Sequence, residues 1–97
     1  MASRTDRNLL KSLIKTIEAN NFDKALSIRE KFTNFQAAFF YAIEEEEEMA
    51  IQLIDNSQRL NLSLSETSKD KRTPLILACQ LKKPKIANAI LCQAKAQ

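Results

Sequence analysis

Apolar side chains recur along this chain at helical rather than strand spacing. Leu9, Leu10, Leu13, Ile14 and Ile17 fall at i, i+1, i+4, i+5 and i+8, one stripe of a helix over about 6–19. Asn20-Asn21 interrupts the stripe, asparagine being the best non-glycine residue for a helix stop or a new cap. Phe22, Ala25 and Leu26, continued by Ile28 and Phe32, mark a second short helix at about 22–31, and so brief a connection makes an antiparallel hairpin. Thr33-Asn34 offers another cap. Phe35, Ala38, Phe39, Ala42 and Ile43 form a third stripe, and Met49, Ala50, Leu53 and Ile54 a fourth. Between them stand five glutamates, Glu44–Glu48, whose like charges repel at i,i+3 and i,i+4 spacing. A continuous rod would also turn Glu46 toward the apolar seam, so the reading breaks the helix within 44–47.

From Asp55 to Arg72 the helical period vanishes. Leu60, Leu62 and Leu64 alternate with Asn61 and Ser63, then a polar run follows from Ser65 to Arg72. This predicts an extended loop or hairpin standing off the helices, with 56–72 the most mobile internal segment. Thr73-Pro74 then caps a fifth helix, with Leu75, Ala78 and Cys79 as its inward stripe. Lys82-Lys83 ends it, Pro84 opens a sixth, and Ala87, Ile90, Leu91 and Ala94 form the last stripe. Helix should thus dominate, at about 65–75% of residues against a usual third. Aligning Ala42 with Ala78 puts Leu53 and Ile54 on Ala89 and Ile90, a repeat of 36 residues. Such a period predicts stacked helix pairs.

Composition narrows the function. The chain has 97 residues, 44% hydrophobic and 28% charged, enough for one folded domain with a small core. It has no histidine and no glycine. The commonest general base and metal ligand are therefore absent, as are glycine-rich phosphate loops. Cys79 and Cys92 lack a histidine to activate them and have no zinc spacing, so both are expected to be reduced, structural thiols, with Cys79 shielded. No catalysis, metal or cofactor is expected. The net charge of +3 hides a partition: +3 over 1–33, −6 over 34–57 and +6 over 58–97. The acidic block interrupts any basic stripe, and Phe32, Phe35, Phe39, Phe40 and Tyr41 lie in or beside it, which argues against nucleic acid. No apolar run is long enough to span a bilayer, and the start of the chain does not read as a signal peptide. A cytoplasmic protein without membrane contact is expected. For Glu44–Glu48 two readings stand, a docking surface for a basic partner or a solvated helix end.

Thr73-Pro74-Leu75-Ile76-Leu77-Ala78 resembles the ankyrin-repeat signature T-P-L-H-x-A, and Ile86, Ala87, Ile90 and Leu91 fall where the second ankyrin helix packs. The resemblance implies an all-α, ankyrin-like helix-pair solenoid. It would be one domain over 1–97, with units at about 6–31, 34–55 and 69–95, or the N-terminal part of a longer protein. Phe39, Tyr41 and Ala42 would stand at signature places of a degenerate second unit, and residues 6–31 would be an atypical cap. Lys71 and Lys82-Lys83 depart from the family's glycine and glycine-histidine, so irregular hairpin tips are expected. Asn21–Leu26 also looks like a tetratricopeptide fragment. In ankyrin-like solenoids the first helix of each pair and the protruding loop hold other proteins. That implies a protein-interaction module or scaffold whose binding residues are Gln36, Phe40 and Glu44 with Arg72, Ile76 and Gln80. The alternative is a targeting or regulatory domain of a larger enzyme or effector. Self-association through an apolar C-terminal flank, with Leu77 and Leu81 as contacts, is a further expectation.

Overall fold

The computed structural model describes residues 3–68 and 70–96, with side chains as far as Gln93. Among the described residues there are six helices and no strand: α1 (Arg4–Glu18), α2 (Phe22–Glu30), α3 (Phe35–Glu45), α4 (Glu47–Asp55), α5 (Pro74–Gln80) and α6 (Pro84–Ala96). Local chemistry sets the starts. Ser3, Asn21, Asn34 and Thr73 each accept a hydrogen bond from the amide three residues on, and Pro74 takes the first helical position of α5. The break between α3 and α4 is the single residue Glu46, with φ −136°.

Helix ends are closed without glycine. At α1 the Asn20 amide donates to the Ile17 carbonyl and the Asn21 amide to Thr16; at α5 the Lys82 amide donates to Cys79 and the Lys83 amide to Ala78. This is the Schellman arrangement, and its left-handed residue is Asn20 (φ 58°) in one case and Lys82 (φ 58°) in the other. Residues 57–60 make one more helical turn, ended the same way at Asn61 (φ 53°) by the amides of Asn61 and Leu62. Lys71 (φ 61°) closes a tight turn in which the Ser68 amide donates to the Arg72 carbonyl. The expectation of irregular tips is thus corrected at both lysines. They adopt the left-handed backbone themselves, at a steric cost of about 1–2 kcal/mol each.

Helices pair as α1 with α2, α3 with α4, and α5 with α6; α3 also touches α5, α4 touches α6, and α1 lies against both α3 and α4. One core runs through all six, built around Leu10, Leu13, Phe39, Ile43, Leu53, Ile54, Leu60 and Ile86. Two polar ties hold the pairs together. The buried Asp6 carboxylate of α1 accepts the amides of Thr33 and Asn34 (2.9 and 3.1 Å), which lead into α3. The Lys83 ammonium donates to the carbonyls of Ile43 and Glu44 (2.6 and 2.7 Å), capping the negative end of α3 from the last pair. Arg29 donates to the Leu60 carbonyl and lies 4.3 Å over the Phe35 ring. Burial lowers its pKa, with the Glu30 carboxylate opposing.

Several expected faces are rotated. Leu26 is exposed rather than part of the α2 seam. On α5 the buried residues are Pro74, Leu77 and Ala78, so Leu77 belongs to the core and is no surface contact, while Leu81 is exposed. Cys79 is exposed, not shielded, and so is Cys92. On α6, Ile86 and Ile90 turn inward and Leu91 outward. Ala94, expected on that stripe, lies outside the described side chains. For α5 the reason is its sequence: two turns of almost unbroken apolar residues have no phase until a neighbour supplies one.

The segment 56–72 divides into two parts. Ser57, Leu60 and Leu62 are buried and Leu64 packs against the core, so the first half is a built element and does not stand off the helices. The period of two does describe burial there, although the backbone is turn rather than strand. Ser57 Oγ has no partner among the described residues, a polar atom enclosed by that packing. Beyond Leu64 the chain is mostly exposed and held by local bonds, the Ser63 hydroxyl accepting the amides of Ser65 and Glu66.

Candidate functional site

A groove of about 740 Å³ runs along the outer face of α3. It is lined by Asn34, Gln36, Ala37, Phe40, Tyr41, Glu44 and Glu45, by Glu66, Thr67, Ser68 and Asp70 of the polar loop, and by Arg7 of α1. Why this face is open follows from the helix. Phe35, Ala38, Phe39, Ala42 and Ile43 are spent on the core, which leaves 36–37, 40–41 and 44–45 on the opposite side of the 3.6-residue turn. The floor is aromatic, since Phe40 and Tyr41 are each only half buried. The rim is acidic, with four carboxylates against the single guanidinium of Arg7, which lies 5.5 Å from the Tyr41 ring centre.

Of the six binding residues expected from sequence, Gln36, Phe40 and Glu44 line this groove together. Gln36 is already engaged, its side-chain amide donating to the Ser63 carbonyl (2.9 Å), so it fastens the loop to α3. Arg72, Ile76 and Gln80 do not line it. They form their own row at i, i+4 and i+8, running from the loop onto α5, where Arg72 donates to Gln80 Oε1 (2.8 Å) and Ile76 is 45% exposed. Ile76 is therefore not buried against a neighbouring unit. The two rows meet at Asp70, a groove residue whose carboxylate pairs with Arg72 at 2.7 Å.

Sequence reasoning missed Tyr41, set at a signature place of the second unit, and Glu66, Thr67, Ser68 and Asp70, for which it named no binding residue short of Arg72. The acidic composition of α3's end was the available signal for Glu45. A smaller cleft of about 240 Å³ lies beside the groove, between Arg4, Arg7, Asn8 and Lys11 of α1 and Tyr41, Glu46 and Met49. Glu44–Glu48 accordingly does not act as one surface. Glu44 and Glu45 face the groove, Glu46 the basic cleft, and Glu47 and Glu48 the first turn of α4, where the helix dipole favours them.

Among the described residues no helix is long and apolar enough to cross a membrane. No protein-family model, no curated protein and no solved structure matches the chain.

Proposed function

We propose that this chain is a protein-interaction module of ankyrin-like build that holds a partner protein on the α3 groove and does no chemistry itself. The observation that carries the reading is the groove: a floor of two partly buried aromatic rings on α3, flanked by a loop tied to that helix through Gln36 and Ser63. Aromatic rings that a partner can enclose in a concavity are among the anchors from which interface energy comes. The helix-pair solenoid is supported by dimensions. Helices pack about 8–10 Å apart, so two layers need about 20 Å and three pairs about 30 Å. The domain measures 32 × 29 × 19 Å. Between the middle and last pairs the contacts of α3 with α5 and of α4 with α6 repeat like on like, as stacked units do, while the first pair departs from this with α1 against both α3 and α4.

A photo-crosslinking amino acid placed at Ala37 in the groove, and separately at exposed Lys24 on α2, tests the reading in cells that express the protein. A discrete protein adduct from position 37 and none from position 24 is expected. Adducts from position 24 alone, or equal adducts from both, would overturn it.

A further inference from the structure

The lining of the groove also specifies the chemistry of its occupant, an inference that rests on the groove being the binding face. Arg72–Asp70 is the only ion pair among the described residues, so Glu44, Glu45 and Glu66 stand in the lining without a described basic partner. The helix that carries two of them lies in a stretch, 34–57, with no lysine or arginine at all. A partner segment that brings positive charge is the electrostatic complement of this rim.

The rings say which kind. This domain seats guanidinium groups on aromatic faces three times: Arg7 over Tyr41 at 5.5 Å, and Arg29 over Phe35 and Arg59 over Phe22 at 4.3 Å each. Phe40 is the groove ring over which no described cation lies. Glu44 is one helical turn beyond it, and side chains at i and i+4 are neighbours on a helix surface. A guanidinium stacked on Phe40 can thus reach the Glu44 carboxylate with its N–H edge, a combination that suits arginine and not the compact ammonium of lysine. Ala37, one turn earlier on the same row, leaves room for main chain to approach.

We propose that the groove takes an extended, arginine-bearing basic segment of a partner protein, with one guanidinium between Phe40 and Glu44 and further positive charge facing Glu45 and Glu66. α3 is about 16 Å long, so about five extended residues would follow it.

The test uses the folded 97-residue chain and pools of nine-residue peptides, random except for a central arginine, lysine, leucine or glutamate. The arginine pool should be retained about threefold or more above lysine and about tenfold above glutamate. The best arginine peptide should lose roughly tenfold with Phe40→Leu and with Glu44→Gln, in variants whose circular dichroism is unchanged, and should weaken as salt is raised. If the leucine or glutamate pool wins and still depends on Phe40, the groove remains the binding face and the basic occupant is wrong. Equal retention of arginine and lysine, or displacement by spermine at the peptide's own concentration, would overturn the guanidinium seat. Binding indifferent to both substitutions, or no retained pool, would overturn both this inference and the groove as the site.

Discussion

Set 36 residues apart, the α3–α4 pair and the α5–α6 pair align Ala42 with Ala78 and Ile54 with Ile90, and all four of these residues are buried. They differ in what surrounds them. In the middle pair Ala38, Phe39, Ala42, Ile43, Ala50, Leu53 and Ile54 are all fully buried, because α1 lies on one side and α5 and α6 on the other. In the last pair Ile76, Leu81 and Leu91 remain 40–45% exposed, and both thiols face outward. The lesson is that burial in these helix pairs follows the number of neighbours rather than the composition of the pair. It also explains where the groove lies. Only a helix whose core face is fully occupied can spare an aromatic row for its other side without losing its place in the fold.

The strongest test of this contrast is truncation on each side of it. Phe39→Ala should cost about 3–5 kcal/mol in urea unfolding, close to the whole stability of so small a domain, whereas Leu91→Ser should cost about 0.5 kcal/mol or less. Ile43→Val, at about 1 kcal/mol, keeps the comparison measurable if Phe39→Ala does not fold. Equal costs at Phe39 and Leu91 would show that the last pair is covered as fully as the middle one.

Next in size is the tie that enters the middle pair from α1. Asp6→Ala removes a buried carboxylate and the acceptor of the Thr33 and Asn34 amides and should cost about 1–3 kcal/mol, with Asp6→Asn costing roughly half because one acceptor oxygen survives. Thermal unfolding of the three proteins checks the order, and a loss below 1 kcal/mol for Asp6→Ala would mean that water replaces the carboxylate.

The smallest effects lie at the joint between the two pairs, and they have opposite signs at adjacent residues. Lys83→Met removes both bonds to the end of α3 and should cost about 1–2 kcal/mol. Lys82→Gly relieves a left-handed lysine and should gain about 0.5–1 kcal/mol, the relief being partly offset by the freer unfolded chain. A loss at Lys82→Gly would place that residue's value in a contact of its side chain rather than in its backbone.

Much of the fold was legible because its signals are local. Asn34, Thr73 and Pro74 announced their helices by capping chemistry that acts within one turn, and the stripe from Leu9 to Ile17 has polar residues beside it that give it a phase. Leu60 and Leu62 were harder. A helical turn of four residues is too short to show a helical period, and its tie to α2, from Arg29 to the Leu60 carbonyl, spans 31 residues of sequence. The candidate site was half legible. Gln36, Phe40 and Glu44 follow from the outer row of α3, but the loop residues that complete the groove have no pattern in sequence, and Ile76 and Gln80 belong to a different row.

The chain by itself determined that it is helical, where its helices begin to within about two residues, and that they break within 44–47 and at Lys82-Lys83, since each of these is decided by hydrogen bonds and charges within a few residues. Tertiary structure alone decided which side of α5 and α6 turns inward, that two lysines take the left-handed backbone, and that Lys83 reaches back to α3. It also decided that Phe40 and Tyr41 floor a groove while Phe39 fills the core. An apolar helix with little polar contrast has no preferred face until another helix removes one side from water, and a strained backbone persists only where packing on both flanks stabilises it by more than the strain costs.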